Sequence, residues 1–410
     1  SPDRDYSASA TLYRSLLHRF GTTYRYADAV HYLLGYVMGE QGDDLEAREA
    51  WKTLVAKFPK SEYAPEVYLR IGEMYFDYGE FDEAGRYYEL ALKYPESRFY
   101  DKALYKLAWT FFQIWDYDRA IKTFKELISW YDAKGDDDGG MASALRQESV
   151  EYLARSLAED DWDNDGLKDE GAGVARALSY LRDGQGYEED IISIYAETLY
   201  NLHDNEKYLE AVLVYQELLR RNPVAVDAPN HQRQVIKIYD ILRDIDKAAD
   251  ARKVLAQMFE EGSPWWIANQ DNPRAIAVAN AEVETALRER ALWHHQRAQE
   301  LRTEARLNED PTLLDQAFQH YAKAAIAYED YLVKFPNEPM SYEMTFYMAE
   351  VLYYSEQFDR AALVYAKVAR DPHNKQFTEN ASWSTVKSYE KIIEQLAEAG
   401  TLSVKAVPGS

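Results

Sequence analysis

The sequence of 410 residues contains no cysteine. This absence excludes disulfide bonds, a cysteine nucleophile and metal sites built from thiolates. A protein without cysteine can work in a reducing cytoplasm, but the complete absence fits an exported protein slightly better.

Basic residues are scarce relative to acidic ones: 47 Lys and Arg stand against 71 Asp and Glu, which gives a net charge of −24. Nucleic acids and anionic lipid surfaces are bound by clusters of Lys and Arg, so we expect neither as a partner. No apolar run approaches the roughly 18 residues of a membrane-spanning helix, so we expect no direct membrane insertion by this chain.

The N-terminus lacks a basic segment followed by an apolar one, which is the pattern of a signal peptide. The first periodic segment, residues 9–20, reads as the second helix of a pair whose first helix is missing. We therefore expect this sequence to be a fragment or a mature product of something longer at its N-terminus.

A repeat dominates residues 64–131. Its two halves align with a shift of 36 residues, and each half contains two amphipathic helices joined by a short polar turn. A period in the thirties with two helices per unit is typical of an α-solenoid. The sequence therefore predicts an all-α fold, a right-handed superhelix of about eight helical pairs.

Small residues recur where the two helices of a pair should cross. In the first half of the repeat, Gly72 and Ala84 are predicted to meet at the crossing, with the Tyr75 and Tyr88 rings beside it. Pro95 follows the second helix and cannot continue it, so it ends the unit.

The order of aromatic, small and proline positions resembles the tetratricopeptide repeat. The segments KFPKSEYAPE at 57–66 and GEMYF at 72–76 are similar to repeats of Gram-negative envelope proteins. These include the outer-membrane assembly lipoprotein BamD, the cell-division coordinator CpoB and multi-repeat proteins of gliding machineries. The resemblance implies a periplasmic or outer-membrane-associated scaffold without enzymatic activity.

Interruptions of the repeat divide the chain. The predicted parts are repeat units at 1–131, a unit with an acidic insertion at 132–186, further units at 187–262, a long-helix unit with the last repeat and a capping helix at 263–400, and a tail at 401–410. The long helix is predicted because residues 275–308 contain neither Pro nor Gly and carry an apolar stripe at helical spacing.

The acidic insertion contains the segment DWDNDGLKDEGA at 161–172. Acidic side chains at loop positions 1, 3, 5 and 9 with Gly at position 6 are what a calcium-binding loop requires, and the segment resembles the loops of EF-hands and dockerins. It departs at position 12, where Ala172 replaces the expected Glu. The predicted ligands of a structural Ca²⁺ are Asp161, Asp163, Asp165, Asp169 and Glu170. The acids at 136–138 could supply further oxygens, and the alternative is a solvated acidic loop.

Partner proteins or peptides are expected on the concave surface, which first-helix side chains that turn away from the second helix should line. The predicted partner-binding residues are Tyr32, Tyr36, Glu73, Phe76, Tyr105, Trp109, Phe112, Glu350 and Tyr353. Packing against neighbouring units explains about half of these rings equally well.

No catalytic constellation stands out. His294 and His295 are adjacent on the long helix, so they point about 100° apart and make poor joint metal ligands. The leading hypothesis is therefore a non-enzymatic adaptor of the bacterial cell envelope. Two alternatives remain open: a repeat region accessory to a catalytic domain outside these residues, and a cytosolic assembly scaffold.

Overall fold

A computed structural model of the protein describes residues 5–134, 140–181 and 188–401. Within these ranges every regular element is helical, which confirms the predicted all-α class. The chain forms two compact units, Ser1–Val214 and Tyr215–Ser410. The acids at 136–138 and residues 402–410 of the predicted tail lie outside the described residues.

The N-terminal unit is built from consecutive antiparallel helices. They are α1 Ser7–Phe20, α2 Ala27–Glu40, α3 Asp44–Lys57, α4 Ala64–Asp77, α5 Phe81–Ala91, α6 Tyr100–Gln113, α7 Tyr117–Lys134, α8 Gly140–Leu157, α9 Val174–Tyr180, α10 Glu188–Asn201 and α11 Asn205–Arg221, whose last residues belong to the second unit. α2 packs on α3, α4 on α5 and α6 on α7, as the repeat predicts.

An aromatic ring covers the glycine at two helix crossings. A Cβ atom added to Gly72 of α4 would lie 2.5 Å from the Tyr88 ring of α5, and one added to Gly35 of α2 would lie 2.2 Å from Trp51 of α3. The Tyr88 ring thus lies directly on Gly72, because only a residue without a side chain leaves room for it. Tyr88 was predicted beside this crossing, and Ala84 is fully buried on the same helix.

The C-terminal unit contains the long helix. Its helices are α12 Ala228–Ile241, α13 Ile245–Met258, α14 Pro264–Asn269, α15 Pro273–Asn308, α16 Pro311–Lys334, α17 Ser341–Tyr354, α18 Phe358–Ala369 and α19 Thr378–Glu398. The 36 residues of α15 span about 54 Å at 1.5 Å per residue. This confirms the predicted long helix, and α16 packs along it.

The apolar stripe of α15 is its packing surface. Val283, Leu287, Ala291, Ala298 and Leu301 are buried. In the described part of the chain, no helix combines the length and the apolar composition that crossing a membrane requires.

Candidate partner-binding cleft and acidic loop

A buried carboxylate lies between the first helices of successive repeats in the N-terminal unit. The Tyr32 hydroxyl on α2 donates a hydrogen bond of 2.8 Å to Glu66 Oε1 on α4. The Tyr32 ring stacks on Tyr63, with 4.6 Å between ring centroids. Burial and the hydrogen bond to Glu66 raise the pKa of Tyr32. The predicted site residue Tyr32 is thus fixed in place on both its ring and its hydroxyl.

Two arginines neutralise the Glu66 carboxylate, which belongs to a residue only 8% exposed. Arg70, one turn further along α4, pairs with Oε1 at 2.8 Å. Arg98 lies 3.8 Å from Oε2, and its side chain is 81% exposed. A buried charge is tolerated when it is paired and hydrogen-bonded. Glu66 Oε1 meets this condition through Tyr32 and Arg70. Glu66 Oε2 is paired only with Arg98, which is more distant and exposed.

A cleft of about 770 Å³ opens beside Glu66. Its lining combines aromatic and proline side chains with charged ones. Tyr63 and Pro65 lie at the start of α4, and Tyr94, Pro95 and Phe99 lie in the turn before α6. The charged residues of the lining are Glu62, Glu66, Lys93, Glu96 and Arg98. The Arg98 guanidinium lies 4.7 Å from the Phe99 ring centroid. Aromatic rings beside carboxylates suit a cationic side chain on an extended peptide.

Glu66 was not among the site residues predicted from the sequence. The signal that could have revealed Glu66 is its separation from Tyr32 along the sequence, because these 34 residues are close to the repeat period. Residues one period apart lie next to each other in a stack of repeats. A polar pair at that spacing therefore indicates a contact between neighbouring repeats.

Tyr36 and Glu73 line a second, smaller cavity of about 340 Å³. The Tyr36 ring is exposed, and the Arg70 guanidinium lies 5.8 Å from its centroid. Arg70 thus lies between the Glu66 carboxylate and this cavity. The structure brings Tyr36 and Glu73 together at one cavity, and their role in partner binding stays a prediction.

The remaining predicted rings of this unit are half-buried. Phe76 packs edge-on against Phe81, with 5.2 Å between ring centroids. Trp109 and Phe112 on α6 both contact Tyr152 of α8, at 4.3 and 5.1 Å between centroids. Their packing contacts on α8 are clear, and a role in partner binding stays a prediction.

Tyr105 belongs to the same cluster. Its hydroxyl accepts a hydrogen bond from Trp109 Nε1, and burial raises its pKa. In the C-terminal unit, burial also raises the pKa of the half-buried Glu350 carboxyl. Tyr353 contacts Phe358 edge-on at 5.2 Å and lines a cavity of about 670 Å³. Four of the predicted residues therefore line three separate cavities: Tyr32 the first, Tyr36 and Glu73 the second, and Tyr353 the third.

The acidic loop is anchored by Trp162, which is fully buried. Its indole N–H donates to the Glu159 carbonyl at 2.6 Å, and its ring meets Tyr180 edge-on at 5.4 Å. The Arg176 guanidinium lies 4.0 Å from the indole centroid. This anchor was not predicted from the sequence, where the available signal was an aromatic residue inside an acidic loop.

Three predicted calcium ligands converge at the start of the loop. Asp161, Asp163 and Asp165 place carboxylate oxygens within 4.8 Å of one another. Asp161 accepts the backbone N–H of Gly166 at 2.9 Å, and Asp163 accepts that of Asp165 at 3.2 Å. Gly166 has φ of +83°, a conformation that glycine adopts without strain. The backbone thus curls around the three carboxylates.

The other two predicted ligands have different surroundings. Asp169 Oδ2 accepts the Trp162 backbone N–H at 2.8 Å and pairs with Arg176 at 3.0 Å. Glu170 is exposed. Hard carboxylate oxygens are the ligands that Ca²⁺ prefers. Asp161, Asp163 and Asp165 could hold the ion as they stand, whereas Asp169 would have to exchange Arg176 for it.

The histidines form a separate buried group. His294 Nδ1 lies 3.2 Å from His320 Nδ1, and His295 Nδ1 lies 3.1 Å from the Tyr328 hydroxyl. Burial lowers the pKa of His294 to about 3 and that of His295 to about 4, so both are neutral near pH 7. Among the described residues, the aspartate triplet is the one group of three or more potential ligands brought this close together.

Comparison with known families assigns the repeats. The tetratricopeptide repeat family matches residues 29–61 and 102–132. This chain contains tetratricopeptide repeats. The first matched segment covers most of α2 and all of α3, and the second covers most of α6 and most of α7. Tetratricopeptide repeats indicate a protein–protein interaction scaffold.

Three solved structures are similar to this chain. The structure of Naa15/Naa10 bound to HypK-THB is 15% identical, with 98% of this chain and 61% of that chain covered and a TM-score of 0.31. A tetratricopeptide repeat protein from Parabacteroides merdae ATCC 43184 is 14% identical, with coverages of 92% and 99% and a TM-score of 0.27. The P58(IPK) TPR domain is 14% identical, with coverages of 90% and 99% and a TM-score of 0.25.

This chain therefore spans 61% of the length of the first of these structures. Comparison with curated proteins gives no match. Every one of these TM-scores is below 0.5.

Proposed function

We propose that this tetratricopeptide repeat protein is a non-enzymatic adaptor of the bacterial cell envelope that binds partner proteins through its first-helix surfaces. The observation that carries the proposal is the Glu66 cleft, where a buried carboxylate meets aromatic and proline walls. Envelope localisation is supported by the resemblance of residues 57–66 and 72–76 to envelope repeats. The accessory region of an enzyme and a cytosolic scaffold are the competing proposals.

The cleft should take a basic side chain of an extended partner segment. The ion pair between Arg98 and Glu66 Oε2 is long, at 3.8 Å, and the Arg98 side chain is exposed, so this pair contributes little to stability. A guanidinium or ammonium group of a partner could therefore replace Arg98 at Oε2. The Tyr63, Tyr94 and Phe99 rings would contact the same cation through their faces. A net charge of −24 would attract a basic partner over long range.

Peptides that differ at one position test this proposal. We expect an extended proline-containing peptide with a central Arg to bind more tightly than the same peptide with Lys, Gln or Glu, in that order, by titration calorimetry. Glu66→Gln should abolish the preference for Arg over Gln. Glu89→Gln is the matched control, because Glu89 is an exposed glutamate on α5 that does not line the cleft. Equal binding of the Arg and Gln peptides to the unaltered protein would refute the proposal.

Location is tested separately. Protease treatment of intact cells, and of cells whose outer membrane has been permeabilised, should digest the protein only in the second case if it lies in the periplasm. Digestion only after complete lysis would favour the cytosolic scaffold. The cleft could still bind basic peptides in that case, so the two parts of the proposal fail independently.

We also propose that the acidic loop binds Ca²⁺ in a structural role, with Asp161, Asp163 and Asp165 as the first ligands and Asp169 and Glu170 completing the set. The convergence of three carboxylates within 4.8 Å supports this proposal. Such a loop would bind calcium with modest affinity, because position 12 has no Glu, and so it suits a compartment rich in calcium.

A further inference from the structure

The last helix of the C-terminal unit exposes an apolar face. On α19, Ala381 and Ser388 are buried, and α19 packs against α18. A second face of α19 carries large apolar side chains that are 39–63% exposed in the described structure: Trp383, Val386, Tyr389, Ile393 and Leu396. We call these five residues the apolar seam. A helix that caps a repeat array needs a polar outer face, so the seam does not fit the capping role predicted for residues 376–399.

The spacing of the seam is that of a coiled coil. Val386, Tyr389, Ile393 and Leu396 follow one another at intervals of three, four and three residues, which places them at positions a, d, a and d of two heptads. β-branched residues at a with Leu at d favour two-stranded coiled coils. Val386 and Ile393 are the β-branched residues, and Leu396 is the Leu. The pattern therefore specifies a second helix as the occupant of the seam.

The charges beside the seam are nearly balanced. Lys387 pairs with Glu390 at 2.8 Å, and Lys391 pairs with Glu394 at 2.6 Å. These two pairs are neutral, and Glu398 adds one negative charge near Leu396. This surface is therefore only weakly acidic on a chain whose total is −24. A basic partner would be attracted to the more acidic surfaces elsewhere, whereas two such seams can meet with little local repulsion.

We propose that the apolar seam of α19 pairs with the same seam of a second copy of this chain. At about 100 Å² buried per side chain, the five residues would bury about 500 Å² on each copy and about 1,000 Å² in total. This value lies at the lower end for specific interfaces. We therefore expect a weak dimer that forms in the micromolar range of protein concentration.

Sedimentation of the full chain over a range of concentrations tests the dimer. We expect the mass to rise from that of one chain, 47.5 kDa, towards twice that value, and the dimer to strengthen with salt because repulsion between two chains of −24 is screened. Ile393→Asp should keep the protein monomeric at every concentration. Ile326→Asp is the matched control, because Ile326 on α16 is similarly exposed, at 57% against 50% for Ile393.

Three outcomes would overturn the proposal. A full chain that stays monomeric at all concentrations would show that the seam does not pair with a second copy and would favour a different protein as its partner. Equal loss of dimer in both variants would place the interface elsewhere. If the full chain is monomeric but a chain ending at Thr401 dimerises, residues 402–410 cover the seam. Melting curves of both variants should match the unaltered chain, because both isoleucines are exposed.

Discussion

Two regions of the N-terminal unit hold their polar groups in different ways. In α2–α5 and the turns beside them, hydrogen bonds connect residues 33 to 35 positions apart: Ser61 to Asp28, Tyr32 to Glu66, Tyr78 to Asp44 and Tyr94 to the Pro59 carbonyl. In the acidic loop, carboxylates accept N–H groups two to seven positions away. The first region depends on the stacking of repeats. The second combines contacts within the loop with contacts to neighbouring helices, such as those of Asp160 with Lys207 and of Asn164 with the Ile114 carbonyl.

The difference has a consequence for stability. A contact between repeats exists only when both repeats are folded, so its loss should lower the free energy of unfolding of the array. A contact within the loop can break while the repeats remain folded, so its loss should be local.

Trp162 takes part both in contacts within the acidic loop and in contacts with the helices. It belongs to the loop, but its carbonyl accepts the Asp118 N–H at 2.9 Å, and its buried indole lies on Tyr180 and Arg176. Trp162→Ala should lower the free energy of unfolding by about 3–5 kcal/mol, because it leaves a large cavity. Urea denaturation measures this change.

The control for that prediction is Trp115→Ala, since Trp115 is an exposed tryptophan of the same unit. Its replacement should change the urea midpoint little. Equal midpoints for the two variants would contradict the role of Trp162 as the anchor of the loop.

Gly72 tests the packing within one repeat. Gly72→Ala would place a Cβ atom 2.5 Å from the buried Tyr88 ring, so we expect a loss of about 2 kcal/mol from overpacking. Gly85→Ala is the matched change on α5, where the added Cβ would meet Leu107 and Thr110 at an ordinary 3.7 Å. It should stabilise the protein by about 0.5–1 kcal/mol through helix propensity. If the melting temperatures of Gly72→Ala and Gly85→Ala shift in the same direction from that of the unaltered protein, the proposed packing difference is wrong.

The sequence predicted the helices because their apolar periodicity is local. It also predicted the acidic triplet, since alternate positions in a short loop converge without help from distant residues. It placed the Tyr88 ring beside the crossing but did not predict that the ring lies directly on Gly72, because the rotation of one helix against the other is decided by packing. Nor did it predict the Glu66 cleft, whose parts come from three successive repeats and meet only after these have stacked.

Glu66 tests the contacts between repeats. Glu66→Ala would leave the Tyr32 hydroxyl and Arg70 without their shared acceptor, so we expect a loss of about 2 kcal/mol in the free energy of unfolding. This value is below that of a fully buried pair, because the Arg70 side chain is 35% exposed. Glu73→Ala on the same helix should cost less. A smaller cost for Glu66→Ala than for Glu73→Ala, measured by urea denaturation, would show that the carboxylate does not join the repeats.

Calcium should have the smallest effect, and it tests the loop alone. In its absence, the Asp161, Asp163 and Asp165 carboxylates are held within 4.8 Å of one another by backbone N–H groups. Bound calcium would replace their mutual repulsion by attraction and so fix the start of α9. With free calcium at about ten times Kd, binding stabilises the folded state by about 1.4 kcal/mol. The melting temperature should therefore rise with calcium and return to its starting value with chelator.

Variants decide whether that rise comes from the loop. Asp161→Asn with Asp165→Asn should abolish it, whereas Asp82→Asn with Glu89→Gln removes the same charge from exposed positions on α5 and should preserve it. Arg176→Gln should increase calcium affinity, because it frees Asp169 from an ion pair of 3.0 Å. An absence of heat in calorimetry at millimolar calcium, with a melting curve that chelator does not move, would identify the segment as a solvated acidic turn. That result would not bear on the contacts between repeats, because these contacts join residues one repeat period apart and do not involve the calcium ligands.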